Sequence, residues 1–239
     1  MRGRVPPQPV EKIAEAAAEV FMTKGYRAAG ISDVSAALGM SHGAVYTYAK
    51  SKEALLYLAL LRLIRPESLA GLDIPVATPA QEDILALLDS GAAEQGGLSV
   101  LTGVSDDMRE RVPVAEEFGA IIDELYGFVE GNWRLLALVE QCARDLPELA
   151  QLYFVRRRRA VFAALGDYLR RGVGSGALRP VPDIPAAARF ITETVAWFAW
   201  HRLGDPDSAM LDAQACRRTV RHLLLTAFLA DPDATATPT

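Results

Sequence analysis

The sequence predicts an all-α fold, with a small N-terminal unit of three helices and a larger helical C-terminal region. Three observations favour this fold. Apolar residues recur at helical spacing from Ile13 to Phe21, Gly39 separates two short segments with helix-capping residues, and prolines divide the later helical stretches. With 239 residues and 51% hydrophobic content, the chain is long enough to bury a sizeable core.

The first predicted helix carries a single apolar stripe formed by Ile13, Ala17, Val20 and Phe21. These residues follow one another at intervals of four, three and one positions, which places them on one side of a helix. Such a stripe needs a partner that covers it. We therefore expect other helices of the N-terminal unit to pack against the first.

Two short helices are predicted on either side of Gly39. Ser32 precedes the first and Ser41 the second, and a serine oxygen at these positions accepts a free amide proton of the first turn. Gly39 ends the first helix because a left-handed residue is tolerated best without a Cβ. The second helix is expected to begin at about His42.

The second of these helices has the features of a DNA-recognition helix. Its start carries free amides and the positive end of a dipole, which suit phosphates and base edges. Val45 is expected to point inward, whereas Tyr46 and Tyr48 are placed to put hydroxyl groups against a DNA backbone, and Lys52 adds a cation. This arrangement predicts a DNA-binding helix-turn-helix.

The order of these residues resembles the TetR family of transcriptional regulators. Phe21, Gly25 and Tyr26 form F-x3-GY, and the segment from Ser32 to Leu55 follows S-D-V-x3-L-G-M-S-x-G-x2-Y-x-Y-x2-S-K-x2-L. The match covers roughly the first 60 residues. It implies a three-helix DNA-binding unit, followed by a larger helical domain that dimerises and binds a small effector.

The same resemblance implies which residues contact DNA. They are Ser32, His42, Gly43, Ala44, Tyr46, Thr47, Tyr48 and Lys52. Each has a structural alternative, since tyrosines pack on helical units, histidines occur on ordinary surfaces, and serines cap helices without DNA. One position departs from the family pattern, because Ala49 stands where a large apolar residue, often Phe, is usual.

Basic residues are concentrated near the N-terminus, although the whole chain carries a net charge of −5. Residues 1–60 contain seven Lys or Arg and five acidic residues, which leaves a net charge of −7 on the rest. Arg2, Arg4, Lys50 and Lys52 are expected to form a modest basic face, with the acidic bulk held away from DNA. Simple solvation of the tail that holds Arg2 and Arg4 is the alternative.

The C-terminal region is predicted to be helical almost throughout. A helix over 51–64 precedes a proline-rich loop over 71–79, and further helices are expected over 80–94, 114–131, 133–144, 147–172, 186–202 and 207–229. A linker covers 172–185, and the pattern over 96–112 is ambiguous. We therefore predict a DNA-binding domain over 1–56, an effector-binding and dimerisation domain over 57–230, and a disordered tail over 231–239.

The last two helices are the predicted dimer contacts, because each is apolar on more than one face. Their apolar residues are Phe190, Val195, Trp197, Phe198, Trp200, Val220, Leu223, Leu224, Ala227 and Phe228. The resemblance to the TetR family also implies a homodimer. Burial within one chain is the alternative.

The predicted effector site is a cavity with aromatic walls. Its candidate residues are Tyr126, Trp133, Tyr153, Phe154, Phe162, Tyr168 and Trp197. Aromatic walls with few polar groups suit a small hydrophobic or aromatic molecule. Ordinary core packing is the alternative for each residue.

No motif indicates an enzyme, a metal site or a cofactor. The three histidines are dispersed, Cys142 and Cys216 are predicted to be buried free thiols, and neither a glycine-rich phosphate loop nor HExxH occurs. Arg156 to Arg159 spread around a helix, so they are predicted to be solvated or salt-bridged. Charged residues interrupt the apolar runs, and no apolar signal region is visible, which predicts a cytoplasmic protein without membrane contact.

Together these features predict a DNA-binding transcriptional regulator. The default mechanism is repression at a palindromic double-stranded operator, relieved by a small hydrophobic or aromatic effector. A ligand-dependent activator and a helical protein-interaction module are the alternatives, although such a module would need neither the glycine turn nor the Tyr-x-Tyr pair.

Overall fold

The fold is all-α, as predicted. The computed structural model describes residues 9–94 and 112–230, so Arg2, Arg4, most of the ambiguous segment over 96–112 and the tail over 231–239 lie outside the described residues. The helices within the described ranges are α1 Val10–Ala28, α2 Ile31–Ala37, α3 His42–Val45, α4 Lys52–Ile64, α5 Gln81–Glu94, α6 Val114–Ala143, α7 Pro147–Ala150, α8 Arg159–Gly174, α9 Ile184–Ala199 and α10 Ala213–Phe228. Short 3-10 helices occupy Pro66–Gly71 and His201–Gly204, and a π-helical segment, Gln151–Arg158, joins α7 to α8.

Two compact units make up the chain. The first unit comprises residues 1–95 and 134–155, and the second unit comprises residues 96–133 and 156–239. Each unit has its own buried core. The functional boundary predicted after residue 56 stays a prediction. Among the described residues, no helix is long and apolar enough to span a bilayer.

The core of the first unit is built on α1 and α4, which pack against each other. Ile13, Ala17 and Phe21 of the predicted α1 stripe are at most 1% exposed. Helix α4 is apolar on almost every side, and consecutive leucines such as Leu55 and Leu56 are both buried. A helix of that kind must be covered all round, and α2 and α3 contribute to the same core.

The turn between α2 and α3 forms around Gly39, as predicted, with a backbone φ of 63°. The predicted cap of α2 at Ser32 is wrong, because α2 begins at Ile31 and Gly30 occupies the capping position. The Asp33 carboxylate accepts a hydrogen bond from the Gly30 N–H at 2.8 Å, so a carboxylate inside the first turn replaces the serine. Ser41 occupies the capping position of α3, but its side chain makes no capping hydrogen bond.

Helix α6 differs from the prediction, which placed a break between residues 131 and 133. The helix continues through Gly131 and Asn132 to Ala143. The Asn132 side chain donates to the Phe128 carbonyl oxygen at 2.8 Å, so its amide bonds within the helix. One glycine costs a helix interior only about 1 kcal/mol relative to alanine, which tertiary packing offsets.

The last helix, α10, also begins later than predicted, at Ala213 instead of residue 207. The carboxylate of Asp212 accepts from the Ala215 N–H at 2.7 Å and thereby caps the first turn. Upstream, the Ala209 N–H donates to the Asp205 carbonyl oxygen at 2.8 Å in a separate turn. The strong cap at Asp212 therefore sets the start of the helix.

The core of the second unit is rich in aromatic rings. The Phe118 ring of α6 lies 5.8 Å from the Tyr168 ring of α8 and 5.9 Å from the Phe228 ring of α10, between centroids. At the edge of this core, Arg221 of α10 donates to an Asp123 carboxylate oxygen of α6 at 2.9 Å. A stacked ring pair thus joins α6 to α8, and an edge-to-face ring pair and an ion pair join α6 to α10.

The two cysteines are buried free thiols, as predicted. Cys142 lies in the first unit and Cys216 in the second. Burial, together with the nearby Asp145 carboxylate, raises the pKa of the Cys142 thiol to about 12. A thiol with so high a pKa is a packing residue and a poor nucleophile.

Candidate DNA-binding surface

Helix α3 and the three residues after it, Tyr46, Thr47 and Tyr48, have an exposed face and a buried face. The exposed face carries four of the residues that the sequence pattern associates with DNA contact, His42, Gly43, Tyr46 and Thr47. Tyr46 is 44% exposed, whereas Val45 is fully buried and Tyr48 is only 4% exposed. The two tyrosines therefore occupy different environments: Tyr46 lies on the surface and Tyr48 belongs to the core.

The first turn of α3 faces open space. A Cβ added at Gly43 would meet no atom within 4 Å, so the protein's own packing does not require a glycine there. Next to it, the His42 and Tyr46 rings lie 5.5 Å apart between centroids. A small residue beside two exposed rings leaves room for another molecule to approach the backbone closely.

Lys52 lies at the start of α4 and its ammonium group is already engaged. Its Nζ donates to the Arg27 carbonyl oxygen at 3.1 Å and stands 4.5 Å from the centroid of the Tyr26 ring. The Tyr26 hydroxyl in turn donates to the Glu53 carboxylate at 2.6 Å. An ammonium has three donors, so this arrangement orients Lys52 and leaves donors for a further acceptor.

The Tyr26–Glu53 hydrogen bond changes the acidity of both groups. Burial and the neighbouring Glu53 carboxylate raise the pKa of Tyr26, so its hydroxyl stays protonated. The hydrogen bond from Tyr26 lowers the pKa of Glu53. Glu53 is therefore a carboxylate at neutral pH, beside the Lys52 cation.

The remaining residues of the predicted set are Ser32 and Ala44. Ser32 is exposed on α2, and Ala44 is half-buried on α3. Near Ser32, the Lys24 ammonium pairs with the Asp33 carboxylate at 2.7 Å, and this hydrogen bond lowers the pKa of Asp33. DNA contact by each member of the predicted set stays a prediction.

Val76, in the loop before α5, forms backbone hydrogen bonds with the residues just after α3, and we call this loop segment the Val76 strap. Lys50 N–H donates to the Val76 carbonyl oxygen at 2.9 Å, and Val76 N–H donates to the Tyr48 carbonyl oxygen at 2.7 Å. Ala49, which stands where the family pattern usually has a large apolar residue, is fully buried in the same core as Val76. The proline-rich loop gave no sequence signal for this pairing.

An open cleft of about 630 Å³ lies beside this strap in the first unit. Its lining residues are Tyr57, Arg65, Val76, Ala77, Thr78, Pro79, Asp83, Ala86, Leu87 and Ser90. None of them belongs to the aromatic set that the sequence predicts for an effector. The cleft is a mixed polar and apolar surface, unlike the predicted aromatic cavity.

The seven predicted effector residues are divided between the two units. Tyr153 and Phe154 belong to the first unit, with ring centroids 4.8 Å apart, and the other five belong to the second. Tyr126 is fully buried and its hydroxyl donates to the Phe198 carbonyl oxygen at 3.2 Å. Tyr168 is also in the core. Trp133 and Phe162 are half-buried, and Trp197 is 38% exposed.

Two guanidinium groups lie close to the Phe162 ring in the second unit. The Cζ atoms of Arg189 and Arg158 are 4.9 Å and 5.7 Å from its ring centroid, respectively. Both arginines pair with the Glu193 carboxylate, at 2.8 Å and 2.7 Å respectively. Arg158, one of the four consecutive arginines, is thus salt-bridged, as the sequence predicts for that run.

Helices α9 and α10 carry exposed apolar residues as well as buried ones. Phe190 and Leu223 are each 58% exposed and Trp197 is 38% exposed, whereas Val195 and Leu224 are at most 2% exposed. Both helices are therefore apolar on a buried side and on an exposed side, as the sequence indicates. No cluster of metal-ligating side chains occurs among the described residues.

Comparisons with known proteins agree with this architecture. The model of the family described as bacterial regulatory proteins, tetR family, matches residues 13–57. A comparison with curated proteins finds no match.

Three solved structures share the fold over almost the whole chain. The ketosteroid transcriptional regulator KstR2 of Mycobacterium tuberculosis is 19% identical, with a TM-score of 0.58 and coverage of 96% of this chain and 98% of that one. A tetR-family regulatory protein from Rhodococcus RHA1 is 22% identical, with a TM-score of 0.52 and coverage of 94% and 99%. The TetR-family regulator PfmR from Thermus thermophilus is 26% identical, with a TM-score of 0.52 and coverage of 90% and 94%. Residues 13–57 therefore match the tetR family of bacterial regulatory proteins, and the chain as a whole shares its fold with solved TetR-family regulators.

Proposed function

We propose that the chain is a homodimeric repressor that binds a palindromic double-stranded operator through α3 and releases it when a small hydrophobic or aromatic effector binds. The observation that carries the DNA-binding part is the exposed face of α3, which presents His42, Gly43, Tyr46 and Thr47 while Val45 and Tyr48 anchor the other side in the core. A recognition element needs both properties, because base and phosphate contacts depend on a fixed orientation.

The proposed division of contacts follows from exposure. The Tyr46 hydroxyl is available for a backbone phosphate, and Lys52 presents an oriented ammonium. Gly43 allows close approach of DNA to the first turn of α3. Tyr48 is 4% exposed, so its ring packs in the core beneath α3, and no DNA contact is assigned to its hydroxyl.

The proposed dimer uses the exposed apolar residues of α9 and α10. Phe190, Trp197 and Leu223 are too exposed to contribute to the core of one chain, and a twofold partner would remove their surfaces from water. A dimer presents two copies of α3, which is why the operator is expected to be roughly palindromic. The acidic charge of the chain beyond residue 60 favours confinement of DNA contact to the N-terminal region.

The effector is proposed to be apolar or aromatic because accessible rings remain in both units. Trp133, Phe162 and Trp197 are only partly buried in the second unit, and Tyr153 and Phe154 are partly buried in the first. Such a ligand releases DNA only if it binds the DNA-free arrangement more tightly than the DNA-bound one. Ligand-dependent activation is the alternative mechanism.

The test begins with duplex DNA that the wild-type protein selects from a random-sequence pool. Gel shifts should show binding to a symmetric sequence, and sedimentation should show a dimer at micromolar concentration. The variant Leu223→Asp is expected to give monomers and to lose operator affinity, while the exposed control Met210→Asp keeps both properties. Failure to select any duplex would favour a helical protein-interaction module over a regulator.

A fluorescence titration tests the effector part. Apolar and aromatic compounds that change tryptophan emission should also lower affinity for the selected duplex. A compound that binds and strengthens DNA binding would indicate an activator or a co-repressed system. A bound compound without any effect on DNA affinity would contradict the switching mechanism.

A further inference from the structure

We propose that Asp145 is a positioning residue for DNA binding, because it accepts from the Arg27 N–H and so holds the main chain of Arg27, whose carbonyl oxygen orients the Lys52 ammonium. The inference rests on the proposed function, in which Lys52 binds a DNA phosphate. It adds a residue outside the helix-turn-helix to the machinery that fixes this contact.

The main chain of Arg27 is held from both sides. Its N–H donates to Asp145 Oδ2 at 2.7 Å, and its carbonyl oxygen accepts from Lys52 Nζ at 3.1 Å. The Arg27 side chain reinforces the first contact, with Nε 3.6 Å from Asp145 Oδ1. Only one residue of main chain therefore separates the Asp145 carboxylate from the Lys52 ammonium.

A kink in α1 brings this peptide to Asp145. Gly25 has φ 75° and ψ 174°, a left-handed conformation that favours glycine and interrupts the helical path two residues before Arg27. A Cβ at Gly25 would lie 3.4 Å from both Asp145 Oδ2 and the Gln141 carbonyl oxygen. The end of α6 and the residues just after it are thus in close contact with the last turn of α1.

The Asp145 carboxylate is itself well fixed. Its side chain is 21% exposed, and its backbone N–H donates to the Cys142 carbonyl oxygen at 3.0 Å, at the end of α6. The same stretch of α6 holds α1 a second time, since Arg134 pairs with Glu19 at 2.6 Å and also with Glu15. Because α1 is also anchored at this second place and packs against α4, we expect loss of Asp145 to act on the main chain of Arg27 and not on the position of α1.

The Lys52 ammonium, at the other end of this chain of contacts, is also held in place. The Lys52 ammonium rests over the Tyr26 ring, and the Tyr26 hydroxyl is fixed by Glu53. An ammonium that is already oriented loses less conformational freedom when it contacts a phosphate. Removal of the Asp145 carboxylate would free the main chain of Arg27. The Lys52 ammonium would then be less well oriented, and it would lose more conformational entropy when it contacts a phosphate.

The experiment measures the affinity of full-length dimers for the selected duplex as a function of KCl concentration. The variants are Asp145→Ala, Asp145→Asn, Lys52→Ala and the double variant Asp145→Ala/Lys52→Ala. Asp145→Ala is expected to weaken binding by about tenfold, the scale of one charge-assisted hydrogen bond. It should also flatten the salt dependence in the same direction as Lys52→Ala, by at most about 0.9 in log–log slope for each phosphate whose contact with Lys52 is lost.

Two results would distinguish a positioning role of Asp145 from a general structural role. In the Lys52→Ala background, Asp145→Ala should cause no further weakening, because its effect passes through Lys52. Asp145→Asn keeps an oxygen that accepts from the Arg27 N–H, so it should restore part of the affinity. Urea unfolding and circular dichroism check that each variant is folded, and the near-isosteric Asn variant serves if the Ala variant is not.

The matched control is Glu148→Ala, which removes an exposed carboxylate three residues further along. Loss of a negative charge alone should tighten DNA binding slightly, the opposite sign to the effect expected at Asp145. If Asp145→Ala behaves like Glu148→Ala, or weakens binding equally with and without Lys52, the positioning role is wrong while DNA binding stands. If the wild-type protein binds no duplex, both the proposed function and this inference fail.

Discussion

Between residues 31 and 55, side chains that share a surface are also neighbours in the sequence, whereas the aromatic side chains of the second unit meet from helices far apart in the chain. The His42 and Tyr46 rings are four residues apart and lie 5.5 Å from each other. By contrast, Tyr126 reaches the Phe198 carbonyl oxygen across 72 residues. Local turns and helix periodicity fix the first arrangement, and packing of several helices fixes the second.

This difference determines what a substitution does. In the helix-turn-helix, an exposed residue such as Tyr46 can be changed without disturbing Val45 beneath it. In the second unit, Tyr126 and Tyr168 both belong to the core, so a substitution of either that tests ligand contact also perturbs packing. Site residues are therefore separable from the fold in one region and joined to it in the other.

The largest expected effect comes from removing one buried ring in each region. Phe21→Ala and Phe118→Ala should each lower the free energy of unfolding by about 3–5 kcal/mol, the usual range for a buried phenylalanine. Both rings are at most 1% exposed, although only Phe21 belongs to the family pattern. Urea denaturation measures the decrease, and Met210→Ala, at a side chain 80% exposed, should change stability by less than about 0.5 kcal/mol.

A clear difference between the losses of stability in Phe21→Ala and Phe118→Ala would contradict the expectation that both rings stabilise the protein equally, whether or not they belong to the family pattern. It would show that one unit tolerates a cavity better than the other. Equal decreases would sharpen the comparison, because the two regions would then differ in how function is distributed and not in how firmly each is packed.

The parts of the site that follow local rules could be predicted from the sequence. The left-handed turn at Gly39 and the inward Val45 depend on residues close by, and both are observed. The predicted cap at Ser32 is wrong because α2 already begins at Ile31, where the Asp33 carboxylate accepts from the N–H of the capping residue Gly30.

Contacts across long stretches of chain had no comparable signal. Asp145 lies 118 residues from Arg27, and the Val76 strap joins Tyr48 and Lys50 through backbone atoms that no side-chain pattern specifies. The all-α class was predictable because helix periodicity is local. The end of α6 against α1 was not, because it depends on how helices of the first unit pack.

The next prediction compares the two tyrosines that the sequence treats alike. Tyr46→Phe should weaken operator binding by about tenfold, since it removes the exposed hydroxyl that we propose donates to a charged phosphate. Tyr48→Phe should leave affinity nearly unchanged, because Tyr48 is 4% exposed. Fluorescence anisotropy with the selected duplex measures both, and a larger effect at Tyr48 would place its hydroxyl in the interface.

The Tyr26–Glu53 hydrogen bond should give a pH-dependent contribution to stability. A carboxylate whose pKa is lowered in the folded state stabilises the protein above its unfolded pKa, and this contribution disappears as pH falls through the folded pKa. Tyr26→Phe should therefore cost about 1 kcal/mol at pH 7, and the difference from wild type should shrink below about pH 4.

Urea unfolding of both proteins from pH 7 to pH 3 measures this difference. Thr23→Ala is a useful control, because its exposed hydroxyl donates to the Glu19 carbonyl oxygen, a group that does not titrate. If the loss of stability in Tyr26→Phe stayed constant from pH 7 to pH 3, its cause would be altered ring packing against Phe21 and not the lost hydrogen bond to the Glu53 carboxylate.

The smallest effects separate two glycines four residues apart in the helix-turn-helix. A Cβ would meet nothing within 4 Å at either Gly39 or Gly43, so steric crowding distinguishes neither. Gly39 has a φ of 63°, and an alanine there should cost about 1 kcal/mol of stability through backbone strain. Gly43 lies in α3 with ordinary helical geometry, so Gly43→Ala should keep or slightly raise stability.

The effects on operator affinity should run the other way. If DNA approaches the first turn of α3 as proposed, Gly43→Ala should weaken operator binding although the protein stays stable. Gly39→Ala should mainly lower stability, and its operator affinity should fall only as far as the turn loosens. Thermal unfolding measures stability and fluorescence anisotropy measures operator affinity, and both are recorded on the same samples of each variant. A Gly43→Ala protein with full operator affinity would show that the first turn of α3 does not contact the DNA.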